Sequence, residues 1–161
     1  MPLQHVGLAH LFGEAWKRDP SPFDPDVARQ IERGLQWSGA EVARAREAGL
    51  RVALTLAEFF SRHDLLICPT TPCVAWQSDR LGPERIGGMA VEPRGHAVFT
   101  PFVNQAMAAA ISIPCGTGRG GLPVGMQVIA PRGHDRQLLD AAKAMEAALM
   151  PFSAAQAATP V

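Results

Sequence analysis

Few cysteines and no net charge set the first limits on what this 161-residue chain can be. Its three cysteines, Cys68, Cys73 and Cys115, are an odd and sparse set, which argues against a disulfide framework and predicts reduced thiols. Fifteen basic residues balance fifteen acidic ones, so the excess positive charge of a non-specific nucleic-acid binder is missing. We therefore expect no nucleic-acid partner, and a net charge near zero removes one barrier to self-association.

Long apolar runs are missing as well. No stretch approaches the roughly 18 consecutive apolar residues that span a bilayer, and no basic segment leads into an apolar one near the N-terminus. We therefore expect no membrane partner and a cytoplasmic location. What is present is a composition of 47% hydrophobic and 19% charged residues, which predicts a folded domain with a real core.

Periodicity predicts three helices in the first 60 residues. Apolar residues within 8–16 share one helical face, and Asp24 followed by Pro25 is typical of a helix N-terminus. Ser38 and Glu41 have the spacing of a capping box, which predicts the start of a long helix. The apolar stripe of that helix contains Val42, Ala45, Gly49, Val52, Leu56 and Phe59.

Three short apolar runs predict strands, at residues 65–68, 111–115 and 124–130, the last an antiparallel partner of the second. Residues 74–94 are predicted to be a long surface connection, the second half of 99–110 a helix, and Asp135 the cap of a last helix. The fold class is therefore α/β, a partial mixed sheet with packed helices. Residues 1–150 are predicted to form one unit and residues 151–161 an alanine-rich tail.

The glycine pattern of residues 116–121 (GTGRGG) matches a dinucleotide-binding turn. That motif requires a helix immediately afterwards, whereas Leu122 and Pro123 lead into a predicted strand. The pattern therefore favours a hairpin turn, and no cofactor is predicted. A zinc site built from Cys68, Cys73, Cys115 and a histidine stays open as a lower alternative, as does a Cys115 nucleophile activated by His96 or His134.

Serine catalysis is not predicted from the residues themselves. No serine sits in the glycine-rich turn that usually presents such a nucleophile, and both lysines, Lys17 and Lys143, fall in the terminal helices. We therefore assign no catalytic residue, and the weak spacing of the cysteines leads us to assign no metal ligand.

Three stretches together resemble the C-terminal part of the amidase signature family. They are residues 64–72 (DLLICPTTP), 110–116 (AISIPCG) and 121–131 (GLPVGMQVIAP), and their order and separation also fit. The resemblance covers about residues 11–150 and implies the C-terminal part of the amidase signature fold. It implies an amide hydrolase of carbon–nitrogen bonds, whose lysine and two serines lie upstream of the matched region and have no counterpart here.

The resemblance also implies a role for this portion, which is to complete the central sheet and line part of the acyl pocket. Asn104 matches the start of the family's Asn-Leu-Thr-Gly-x-Pro stretch, but the glycine and the proline are replaced by Met107 and Ala109. That departure puts the turn or pocket wall that they shape in question. His96 and Asn104 are the candidates for contact with a small-molecule amide substrate.

We expect a C-terminal fragment of an amidase-type hydrolase that is inactive alone. Its expected partners are a second copy of itself or a chain that carries the catalytic half. The alternative is a non-catalytic, amidase-like binding module or partner subunit.

Overall fold

The computed structural model describes residues 2–92 and 94–157, which fold as two units divided after Arg51. The division falls inside the third helix. The predicted boundary at residue 150 stays a prediction, and residues 158–161 of the predicted tail lie outside the described residues.

The first unit is built on a pair of helices, α1 (Pro2–Arg18) and α2 (Pro25–Gln36). Helix α1 begins earlier than the periodicity of residues 8–16 predicts. The predicted cap of α2 is confirmed, because the Asp24 carboxylate accepts hydrogen bonds from the backbone N–H groups of Asp26 at 2.8 Å and Val27 at 3.3 Å. Ile31 of α2 is fully buried and anchors this unit.

Helix α3 (Gly39–Phe60) is the long helix that the capping box predicts. Glu41 accepts a 2.9 Å hydrogen bond from the Ser38 backbone N–H, and the Glu41 backbone N–H donates to the Ser38 hydroxyl at 3.3 Å. All six residues of the predicted apolar stripe are buried or half-buried, while the arginines at 44, 46 and 51 are exposed. The arginines therefore form a solvated face.

A three-stranded antiparallel sheet organises the second unit. Its strands are β1 (Leu66–Pro69), β4 (Ala109–Thr117) and β5 (Pro123–Ala130), in the order β1-β5-β4. The sheet and its helices confirm the predicted α/β fold, and the antiparallel pairing of β4 with β5 confirms the hairpin across residues 116–121. A register shift between Pro114 and Gly116 marks a bulge near the turn.

One face of this sheet packs against α5 (Asp135–Ala157), whose Asp135 is the first helical residue rather than the predicted cap. Alternate residues of β4 and β5 point to this face, as the two-residue period of a strand requires. The buried cluster contains Ala109, Ile113, Val128, Ala130, Leu138 and Ala142. The opposite face carries Ser112 and Gln127, with the fully buried Ile129 beside them, and is called the polar face below.

Residues 74–92 contain short regular elements within the predicted surface connection. They contain a hairpin of β2 (Arg85–Ile86) and β3 (Met89–Ala90), joined by Gly87 and Gly88, both with positive φ.

The predicted helix in the second half of 99–110 is wrong in position. Helix α4 spans Pro101–Ala106, and strand β4 begins at Ala109. Proline suits the first helical position, which explains the earlier start.

Every helix within the described ranges is too short or too polar to cross a membrane.

Candidate functional site

The polar face of the sheet is the first element of the candidate site. Thr70 follows β1 and Ser112 lies on β4, yet their hydroxyl oxygens are 2.6 Å apart, within hydrogen-bonding distance across the central strand. Between them lies Gly125, whose carbonyl accepts a 3.0 Å hydrogen bond from the Thr70 backbone N–H. A Cβ on residue 125 would lie 2.6 Å from Ser112 Oγ, so a residue without a side chain is required there for the two hydroxyls to meet.

Gln127 lies two residues further along β5 on the same face. Its side chain is buried, with 5% of the residue exposed, and its register partners are Cys68 on β1 and Ser112 on β4. The Gln127 amide Nε2 donates to the Phe99 carbonyl oxygen at 2.7 Å and lies 3.2 Å from Cys68 Sγ. A buried amide needs such partners, because burying a polar group without a hydrogen-bond partner removes its hydration and destabilises the fold.

Asn104, the first predicted contact residue, is exposed on α4, near the end of that short helix. The helix ends at Met107, which has the left-handed values φ 52° and ψ 33°. The Met107 backbone N–H donates to the Asn104 carbonyl at 3.2 Å, and the Ala108 N–H donates to the Val103 carbonyl at 3.2 Å. The turn therefore forms although the usual glycine is replaced by methionine.

His96, the second predicted contact residue, is half-buried and precedes α4. Its ring packs on Trp76 with 4.6 Å between ring centroids and a 43° tilt between the planes. The Trp76 indole N–H donates to the Arg80 carbonyl at 3.0 Å, which fixes that ring. The structure thus places His96 against the start of the 74–94 segment and Asn104 on α4, so the two candidates lie on different elements.

A cleft of about 440 Å³ lies elsewhere in the second unit, at the end of α3 and the start of α5. Its walls are mainly alanine and larger apolar side chains, with Arg132 and His134 as its titratable groups. The lining residues are Ala53, Leu56, Ala57, Phe60, Ser61, Ala106, Ala108, Pro131, Arg132 and His134. His96 and Asn104 are not part of this lining.

The chemistry available on the polar face is binding and positioning. The hydrogen-bond partner of the Ser112 hydroxyl is the hydroxyl of Thr70, which is no base and does not remove a proton near neutral pH. Lys17 is 2.9 Å from Glu14 within α1, so it is paired in the first unit. Neither Ser112 nor Lys17 has the environment of an activated nucleophile or its base.

The zinc alternative gains no support from the geometry. The three cysteines are free thiols and half-buried. In the part of the chain that the structure describes, no group of three or more His, Cys, Asp or Glu side chains is placed to hold a metal ion.

Gln127, Thr70 and Ser112 are the residues that sequence reasoning did not select. The signal for Gln127 was its place in an otherwise apolar strand, since a polar amide in a core strand requires buried partners. The contact between Thr70 and Ser112 depends on the register of three strands, and 42 residues separate the two in sequence.

Comparison with known proteins identifies a family for this chain. The family model named Amidase matches residues 12–139. The glutamyl-tRNA(Gln) amidotransferase of Halothermothrix orenii has a subunit that is 37% identical over 134 residues, which cover 79% of this chain and 26% of that protein. The chain thus spans about a quarter of the length of this curated relative.

Solved structures share the fold at lower identity. A crystal structure of an amidase superposes with a TM-score of 0.83 at 23% identity, covering 92% of this chain and 34% of its own. A bacterial aryl acylamidase of the amidase signature enzymes family gives a TM-score of 0.76 at 22% identity, covering 98% of this chain and 34% of its own. Since the family model covers most of the chain and the α/β fold agrees, this chain belongs to the amidase family.

Proposed function

We propose that this chain supplies the C-terminal part of an amidase that hydrolyses carbon–nitrogen bonds of a small-molecule amide in the cytoplasm. In this role the sheet extends the enzyme's central sheet, and the segment that carries His96 and Asn104 forms part of the acyl pocket. The catalytic serines and lysine come from outside the described residues. The chain is inactive by itself.

One observation carries the proposal, which is that the amidase fold is matched while the Ser112 hydroxyl, on the sheet, has a threonine hydroxyl and not a base as its hydrogen-bond partner in the part of the chain that the structure describes. The TM-score of 0.83 extends over 92% of this chain but over 34% of the matched amidase. Within the described residues, β1 and β4 each pair with β5, so each offers its other edge to a further strand. Unpaired strand edges favour association with another chain or segment.

His96 and Asn104 are proposed to contact substrate from two neighbouring elements, the loop before α4 and α4 itself. Asn104 is exposed and offers both a donor and an acceptor to an amide, whose own N–H and C=O need both. His96 is held by its packing on Trp76, which presents the imidazole in a fixed orientation. Neither side chain is assigned a proton-transfer role.

A second candidate is a non-catalytic partner subunit. It is favoured by the Halothermothrix orenii relative, which is itself one of the subunits of an amidotransferase. In this case the chain binds a catalytic chain through the same strand edges and contributes no substrate contact. The two candidates differ in whether His96 and Asn104 affect turnover.

A complementation experiment tests both candidates. The purified chain is assayed for ammonia release from a panel of primary amides, alone and mixed with an amidase-family chain from which the matching portion has been deleted. Turnover in the mixture but not with either chain alone supports the first candidate, provided that Asn104→Ala raises KM. Binding of the two chains to each other, with turnover that neither His96→Ala nor Asn104→Ala changes, supports the second candidate.

Turnover by the isolated chain would overturn the proposal if replacing one of its own serines abolished it. Size-exclusion chromatography with light scattering on the isolated chain provides a separate check. We expect a dimer or larger assembly, because open strand edges and exposed apolar side chains such as Leu50 and Leu54 favour self-association. A monodisperse monomer in dilute solution would count against that expectation.

A further inference from the structure

The Gln127 side chain joins the centre of the sheet to the segment that carries both candidate substrate contacts. Its amide donates at 2.7 Å to the carbonyl of Phe99, which lies between His96 and helix α4. We propose that Gln127 is a positioning residue, which holds residues 95–107 in place over the polar face of the sheet. Its part in substrate binding rests on the proposed function, whereas the tether itself can be measured without any substrate.

The burial of Gln127 makes this hydrogen bond more than a surface contact. With 5% of the residue exposed, water is not available to replace the Phe99 carbonyl as a partner. The amide also lies 3.2 Å from Cys68 Sγ, a weaker acceptor, so the two contacts together fix which way the amide faces. Breaking the tether therefore leaves a buried polar group unpaired.

In the described part of the chain, residues 95–107 donate backbone hydrogen bonds to carbonyls close by in sequence. These are Gly95 N–H to Glu92, Ala97 N–H to Arg94, Asn104 N–H to Thr100 and Met107 N–H to Asn104. Helix α4 is six residues long, which is too short to be stable without tertiary contacts. Phe99 lies two residues before this helix begins, and β4 begins two residues after Met107. The tether therefore holds the chain near the first residue of α4, and the strand holds it near the last.

The side chain of Val103 also holds α4 in place. It is 3% exposed, so α4 is seated by one buried side chain as well as by the tether. Apolar packing is non-directional, whereas the amide-to-carbonyl hydrogen bond has a preferred distance and angle. We therefore assign the seating of α4 to Val103 and the orientation of residues 95–107, with His96 and Asn104, to Gln127.

Hydrogen exchange on the full chain tests the tether, using Gln127→Met, which keeps the length of the side chain and removes its donor. We expect the amides of Ala97, Asn104 and Met107 to exchange about tenfold faster, which corresponds to the loss of one buried hydrogen bond of ordinary net strength. The matched control is Val128→Ala, the adjacent residue on the other face of β5, which lowers stability but leaves the tether intact. In the control, exchange should increase in β5 and α5 rather than selectively in residues 95–107.

Two results for Gln127→Met would overturn the tether. Either the amide exchange rates of residues 95–107 stay within twofold of those in the parent chain, or the rates rise equally throughout the second unit. If Gln127→Met does not fold, Gln127→Asn is used instead, because its amide is retained but is too short by one methylene to reach the Phe99 carbonyl. The substrate role is tested in the complemented enzyme, where Gln127→Met should raise KM about tenfold with a smaller change in kcat. If Gln127→Met increased exchange selectively in residues 95–107 but left KM unchanged, the tether would stand and its role in substrate binding would be overturned.

Discussion

The hydroxyls of Thr70 and Ser112 lie 2.6 Å apart, although Thr70 follows β1 and Ser112 lies on β4, with β5 between these two strands. Side chains on the two outer strands reach each other because the residue between them, Gly125, has no side chain. The contact therefore ties three strands together on the polar face of the sheet. Its dependence on one glycine gives the first stability prediction.

Gly125→Ala should destabilise the second unit by about 1–3 kcal/mol, the usual cost of inserting an atom into a packed site. The added Cβ would lie 2.6 Å from Ser112 Oγ and 2.9 Å from Thr70 Oγ1. Gly125 is not among the glycines with positive φ, so the cost comes from contact and not from backbone strain. Urea unfolding measures the change.

The double variant Gly125→Ala with Ser112→Ala is the control for this prediction. Ser112 is exposed, so Ser112→Ala by itself should cost little. Removing its oxygen should recover part of the stability lost in Gly125→Ala. Equal stability of Gly125→Ala and the parent chain would show that the three strands have more room than the structure gives them.

Met107→Gly should stabilise the chain by about 0.5–1 kcal/mol, because a left-handed conformation costs a residue with a side chain roughly 1–2 kcal/mol. Met107 holds a φ of 52°. Its side chain is 58% exposed, so little burial is lost, while the greater freedom of glycine in the unfolded chain offsets part of the gain. Thermal and urea unfolding should both show the increase.

Ala106→Gly is the matched control for Met107→Gly, because it places the same residue one position earlier, inside α4. There, at the last residue of α4, it should destabilise by about 0.5 kcal/mol, the lower end of the cost of replacing alanine by glycine in a helix. If both variants shifted the urea midpoint in the same direction, the left-handed turn at Met107 would not be the cause of the stability change in Met107→Gly.

Gly34→Ala should destabilise the helix pair of the first unit by about 3 kcal/mol. A Cβ at this position would lie 2.1 Å from the His5 carbonyl oxygen and 2.6 Å from Ala9 Cβ, so α1 would have to move away as a body. Gly7→Ala is the matched control, because its Cβ would have open space around it. It should stabilise by about 0.5–1 kcal/mol through helix propensity alone.

Circular dichroism at 222 nm during urea unfolding distinguishes the two glycine variants. The midpoint should fall for Gly34→Ala and rise for Gly7→Ala. A rise for both would mean that helix propensity dominates and that the close approach of α1 and α2 is not needed for stability.

Sequence patterns predicted those elements that depend on residues close to one another in the chain. Asp24 and Ser38 cap their helices as the spacing of their neighbours indicates, since a cap involves residues two or three positions apart. The hairpin at Gly87 and Gly88 had a local signal too, because two glycines in sequence favour a two-residue turn. The lack of any apolar period in the surrounding segment obscures that signal.

The candidate site was harder to predict because its contacts are not local. Gln127 and Phe99 are 28 residues apart, and their hydrogen bond exists only once β5 is in register with its neighbours. His96 and Asn104 were selected through the family resemblance, and their roles stay predictions. The left-handed turn at Met107 shows the reverse case, in which tertiary structure imposes a conformation that the local sequence disfavours.

Ser38→Ala should raise the pKa of Glu41 toward its ordinary value of 4.5. In the parent chain, the hydrogen bond from the Ser38 hydroxyl, and after it the Ser38 backbone N–H, holds that pKa below 4.5. Because the folded-state pKa is lowered, the Glu41 contribution to stability is present above pH 4.5 and is lost as the pH falls through the folded-state pKa. The variant should show a weaker loss of helix α3 over the same acidic range.

A carbon-13 NMR titration of the Glu41 carboxyl group, between about pH 2 and pH 7, measures this directly. Ser61→Ala is the control, since the Ser61 hydroxyl donates at 2.7 Å to the Glu58 carbonyl at the other end of α3 and should leave the Glu41 pKa where it is. If the Glu41 pKa were the same in Ser38→Ala and in the parent chain, the hydroxyl would not be what stabilises the carboxylate. The cap of α3 would then depend on the Ser38 backbone N–H, whose hydrogen bond the substitution leaves in place.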